Sequence, residues 1–178
     1  MATKKFDFGN WSGPMPAHRH RNPDGKKGGW VAETASVAET ATVVYYALVY
    51  DKAQVSDQAY VFDEAQVYNN AEVSGKARVF GKAKVFGEAQ VTNSAQVFGQ
   101  SNVFGQARVY DDACVVDRAQ VFGNALVFGN ACVSDDAKVF GSARIFNEDW
   151  IAGGKIAGDT EILGLALPIC SAPSILGW

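Results

Sequence analysis

Histidine is nearly absent. The 178 residues hold two, His18 and His20, both close to the N-terminus, so chemistry that needs several imidazoles has nowhere else to find them. Proline is also scarce. Pro14, Pro16, Pro23, Pro168 and Pro173 leave residues 24–167 without the one residue that removes ladder hydrogen bonds. Three cysteines make no paired framework, which fits a reducing compartment. No apolar run approaches the ~20 residues that cross a bilayer, and the N-terminus lacks an apolar signal core. The expectation is a soluble, cytoplasmic protein with no membrane partner. The net charge of -3 conceals an asymmetry. Residues 1–27 carry six basic side chains against Asp7 and Asp24, a balance of +4 that leaves -7 for the rest. An acidic body with a basic arm argues against a nucleic-acid partner.

What the chain has in abundance is a repeat. Stepping by six from Val31 through Val37 and Val43 to Val139, Ile145 and Ile151 meets Val or Ile at all 21 positions. Two residues earlier stands Ala at every step from Ala35 to Ala143, except Ser101. Two residues later stands Gly, Asn or Asp at all 18 steps from Asp51 to Gly153. In extended chain, residues two apart share a face, so the Ala and Val of each A-x-V point inward together. Gly, Asn and Asp enter left-handed backbone cheaply, so each hexad ends in a corner.

Short strands separated by corners, with aliphatic residues inside, make a parallel coil. Three hexads close one triangular turn. The pattern resembles the hexapeptide-repeat, left-handed parallel β-helix family over Val31 to about Ile151. The fold expected is therefore all-β: a single-domain solenoid of triangular section with six to seven turns. Residues 1–29 are expected to form an N-terminal arm or cap, 30–164 the solenoid, and 165–178 an apolar C-terminal tail or cap. Ile156 and Ile162 keep the six-residue step but begin five after Ile151, so "KIAGDTEILG" reads as a last, irregular turn.

The slot after each Val points outward, and 12 of the 21 such slots are aromatic. Sorted onto three faces, one reads Ala32, Tyr50, Tyr68, Phe86, Phe104, Phe122 and Phe140. A second ends in Tyr110, Phe128 and Phe146, and the third carries Phe62, Phe80 and Phe98 before Val116 and Ser134. Six rings on one face would form about the largest apolar patch a monomer tolerates. One reading is that the rings shield one another. The reading preferred on sequence is that this face, with Trp30 at its start, is buried against other protein. Members of the family resembled are commonly side-by-side trimers, which implies a homo-oligomer, trimer first and dimer second.

The resemblance also brings an enzyme class into view: acyltransferases with a catalytic His at a subunit cleft, and three-His zinc enzymes. Here the coil has no His and the hexad count runs without an inserted loop. No catalytic residue, metal ligand or cofactor site is assigned. "HRHR" (His18 to Arg21) reads as a solvated arm rather than a phosphate or metal site. Cys114 and Cys132 take the same outward slot on consecutive turns, and half-covered thiols are expected there rather than a disulfide.

The ends do not repeat. "GGWV" (Gly28 to Val31) leading into A-x-V hexads is similar to poorly characterised bacterial and phage repeat proteins. The tail has no charge after Glu161 and offers Leu165, Leu167, Ile169, Ile175, Leu176 and Trp178. These either fold back over the last turn or insert into a neighbour. The expected function is a non-enzymatic structural or interaction module that self-associates through its aromatic ladder. The alternatives are an effector that binds and inhibits a host protein and, from another class, a hexapeptide acyltransferase-like enzyme.

Overall fold

A computed structural model describes residues 4–162 of the chain. They form 25 strands and no helix. Strand β1 (Lys5–Phe6), β2 (Met15–Arg21) and β3 (Lys27–Ala32) are antiparallel neighbours. From β4 (Ser36–Val37) to β25 (Glu161–Ile162) nearly every strand is a two-residue step containing one Val or Ile of the repeat. These steps sort into three parallel sheets. The first has ten strands, extended at its N-terminal edge by β1 and β2; the second has eight and the third seven. The coil makes about seven turns of 18 residues.

The register is regular because the sequence is. Val31 pairs with Val49, Val37 with Val55 and Val43 with Val61, each exactly three hexads on. Inside, Val and Ala of every hexad from Ala41 to Ile145 are essentially removed from water and form one continuous core. Each fully buried Val contributes about 1.5 kcal/mol or more. Ser101, in an Ala slot, is equally buried and is satisfied: its Oγ donates to the carbonyl of Phe98 at 2.8 Å.

All 18 corner residues from Asp51 to Gly153 have positive φ. Ladder bonds continue around the corners, as in Lys82 N–H to Gly99 C=O at 2.6 Å. Several corner carboxylates reinforce them by accepting the N–H one turn on, such as Asp57 from Gly75 at 2.9 Å. The last turn is one residue shorter. Val139 pairs with Ile156 and Ile145 with Ile162, a shortfall absorbed where Gly153 and Gly154 both take φ near +75°.

The N-terminal end is closed by the arm. His20 Nε2 lies 3.0 Å from the carbonyl oxygen of Ala41, and Asn22 Oδ1 accepts the N–H of Val43 at 2.9 Å. Both partners belong to the outermost level of the third sheet, whose edge strand is β5 (Thr42–Val43). Two side chains thus occupy backbone groups that an open edge would present. The "HRHR" run is therefore not simply a solvated arm: His20 is buried, and His18 Nδ1 meets Glu33 at 2.9 Å on the surface. The chain enters the coil so closely that a Cβ on Gly28 would collide with the Val43 carbonyl, and one on Gly29 with that of Ala47. That is the physical reason for Gly-Gly before Trp30.

Candidate interaction surfaces

The outward slot of the first sheet holds one unbroken stack. Tyr50, Tyr68, Phe86, Phe104, Phe122 and Phe140 lie 4.8–4.9 Å apart, with neighbouring planes within 2–5° of parallel. Parallel, in-register strands force this geometry, since equivalent side chains repeat at the strand spacing. Phe8 of the arm continues the stack at 5.1 Å from Tyr50. Each ring hides the faces of the next, so none of the six is fully exposed and Tyr50 is buried. What reaches water is a narrow stripe of ring edges running the height of five strand spacings. Burial pushes the Tyr50 phenol far above its ordinary range, with Tyr68 and Asp51 adding to the shift. Its hydroxyl donates to Gln66 Oε1 at 3.4 Å.

Trp30 stands elsewhere. It precedes Val31 rather than following it, so it pairs with Leu48 in the neighbouring column. Phe6 stacks on its indole at 4.5 Å and the Arg19 guanidinium sits 5.5 Å from its centroid. Trp30 locks the arm to the coil, and Phe8, which has no place in the hexad pattern, begins the ladder.

The other two faces carry shorter stacks. Phe62, Phe80 and Phe98 lie 4.6–4.7 Å apart on the third sheet, with Tyr60 against Phe62 and the Arg78 guanidinium 5.5 Å from both Phe62 and Phe80. Tyr110, Phe128 and Phe146 stack at 5.0 and 5.2 Å on the second, where Arg144 lies over Phe128. Below Phe98 the third sheet turns to small residues for two levels: Cys114 and Val116, then Cys132 and Ser134. All four face outward, yet they are only 2–8% exposed. No disulfide joins Cys114 to Cys132. Trp150 forms the lower rim, its indole N–H donating to Ser134 Oγ at 2.7 Å.

Sequence reasoning missed the most exposed aromatics. Tyr45 and Tyr46 are 66% and 79% exposed, and Trp11 is fully so. Tyr45 holds φ +57° at a corner where every other described non-glycine residue with positive φ is Asp or Asn. The signal was available: the Gly/Asn/Asp rule for corners begins at Asp51, one hexad after Tyr45 breaks it.

A shallow groove of about 520 Å³ runs along the corner between the first and second sheets. Its walls are rungs of amide and carboxylate, with Gln90 donating to Glu72 at 3.1 Å and Gln106 to Glu88 at 2.9 Å. Among the described residues no group of three or more His, Cys, Asp and Glu could hold a metal ion, and no helix is long and apolar enough to cross a membrane. Leu165, Leu167, Ile169, Cys170, Ile175, Leu176 and Trp178, the apolar tail expected to cap the last turn or a neighbour, lie outside the described residues.

Fold and surface together define a class: a parallel β-solenoid repeat protein, a structure suited to structural or interaction roles. Residues 119–135 match the family described as YdcK beta solenoid repeat. Neither a search of curated proteins nor one of solved structures gives a match.

Proposed function

We propose that the protein is a non-enzymatic scaffold that works by contact, associating side by side with copies of itself through the first sheet. The observation that supports this is the uninterrupted ladder from Tyr50 to Phe140, where a single polar rung would have broken the apolar stripe. The magnitude limits the claim. Five spacings of ~4.8 Å make a stripe roughly 24 Å long and one ring wide. That falls well short of the ~800 Å² per partner of a stable interface, so the flat backbone on either side has to join it. A trimer, and next a dimer, lets each flat face meet another. Sedimentation equilibrium at micromolar concentration tests it: a mass of two or three chains is expected, reduced to one chain by Phe104→Asp. A single-chain mass for the unaltered protein refutes self-association.

A second reading rests on Tyr45 and Tyr46. An exposed aromatic pair held on a left-handed corner is costly by about 1–2 kcal/mol, and such strain collects where a protein makes contacts. On this reading the solenoid is a bacterial or phage effector acting in the cytoplasm of a host cell, and the corner grips a host protein. Loss of capture in a pull-down on Tyr45→Asn/Tyr46→Ser would support it. An acyl-transfer reading would have to operate without a histidine in the coil, and acetyl-CoA binding by calorimetry would be its sign.

A further inference from the structure

We propose that the groove along the corner between the first and second sheets binds a neutral polysaccharide in extended form, one sugar to each rung of the solenoid. One wall steps down the corner from Asn70 through Glu88 and Gln106 to Asn124, and the other down the second sheet from Glu72 through Gln90 to Arg108. Successive residues in each wall are 18 apart, so similar groups recur at one strand spacing. Leu126 ends the second wall with an apolar patch, which suits the C–H face of a sugar ring. Four rungs make a groove roughly 14 Å long. Its volume of about 520 Å³ falls within the ~300–1,000 Å³ of small-molecule sites.

Three observations choose the ligand. First, bonds between rungs hold the lining in place before anything binds. Gln90 Nε2 donates to Glu72 Oε2 at 3.1 Å, and Gln106 Nε2 to Glu88 Oε2 at 2.9 Å. A carboxylate has about four acceptor sites, and an amide adds a second N–H and an oxygen. Each pair therefore keeps both donors and acceptors to offer a hydroxyl, which is itself both. The corner between the third and first sheets differs. There Lys82 pairs with Glu64 at 3.7 Å and Arg118 with Asp136 at 2.7 Å, charges that answer each other. Second, the spacing selects the polymer. Pyranose units of an extended chain advance by close to one strand spacing, so each can meet an equivalent set of groups. A peptide strand repeats its side chains on one face every ~6.8 Å and falls out of step with rungs ~4.8 Å apart. Third, Glu72 and Glu88 against Arg108 leave the lining at -1, which disfavours the phosphates of a nucleic acid and the carboxylates of an acidic glycan.

Sugar binding goes beyond the proposed self-association and does not rest on it: calorimetry reads one and sedimentation the other, so either can fail alone. The test titrates the full chain with hexasaccharides of cellulose, xylan, mannan and chitin, all neutral and extended. Saturable binding of at least one of them is expected, with one site per chain. Gln90→Ala/Gln106→Ala should weaken it about tenfold and leave the melting curve unchanged, since neither side chain is buried. Hexagalacturonate, equally long but charged, should bind at least tenfold more weakly than the neutral ligand. In the unaltered chain the NMR signals of the Gln90 and Gln106 side-chain amides should shift as sugar is added, a readout that needs no variant. Absence of saturable binding by all four neutral probes at millimolar concentration overturns the proposal. So does an affinity that the double variant leaves unchanged, or a charged hexamer that binds as tightly.

Discussion

Asp149 stands where the repeat calls for alanine, two residues before Ile151, and replacing it with alanine should make the protein more stable. Its neighbour one turn above is Ala131, and Cys132 N–H donates to the Asp149 carbonyl at 2.8 Å, so the backbone there is ordinary coil. The side chain is 1% exposed and neither carboxylate oxygen has a hydrogen-bond partner among the described residues. Ser101 shows what a polar group in this slot requires: its hydroxyl reaches the Phe98 carbonyl three residues back, across the preceding corner. A buried polar group left unpaired costs about 1–3 kcal/mol, and more if charged. Asp149→Ala removes that cost without opening a cavity, since alanine already fills the same slot one turn up. The expected gain is about 2–3 kcal/mol, or roughly 5–10 °C in melting temperature for a chain of this size. Repeat proteins open from their ends, so hydrogen exchange at the Cys132 amide should slow in the variant as well. A lower melting temperature or faster exchange would show that the carboxylate serves a partner, and the reasoning about the unsatisfied slot would fall.

Other perturbations bear on the ends and corners. Burial lowers the His20 pKa below 6.5, outweighing the bond to Ala41, and His18 lowers it further. A depressed histidine favours the neutral fold, so its contribution is complete above pH 6.5 and declines as pH falls below it; the urea midpoint should drop between pH 7.5 and 5.5, and less so in His20→Gln. Tyr45→Asn should add about 1 kcal/mol by relieving a left-handed tyrosine, read as a melting shift of roughly 2–4 °C, and no gain would mean the corner is unstrained. Gly29→Ala should cost about 2–3 kcal/mol, because its Cβ meets the Ala47 carbonyl oxygen, a backbone atom with no freedom to withdraw. An unchanged melting curve would show that the lead-in strand can shift.

The coil is legible because three constraints recur at one spacing: Val and Ala inside, left-handed residues at corners, and rings in one outward slot. Even the shortened last step shows in the sequence as Ile156 arriving one residue early. The arm has no period, so nothing in "AHRHRN" announces that His20 and Asn22 seal Ala41 and Val43. Proximity to Val31 suggests the ladder for Trp30, but before and after a valine are different columns, and one residue decides which. Periodicity also does not say how much of each ring its neighbour covers. Asp149 falls where the count is ending, and a lone departure at the margin of a pattern looks like the pattern fading.

The shortened closing turn implies a rule for altering this chain's length. Whole sets of three hexads could be deleted or added between Asp51 and Asn147 with every remaining side chain kept at its bearing, changing height as graduations are added to a ruler. A set one residue short or long would rotate everything beyond it out of alignment unless a flexible pair such as Gly153–Gly154 took up the difference. Height is thus freely adjustable in this architecture, whereas azimuth is quantised.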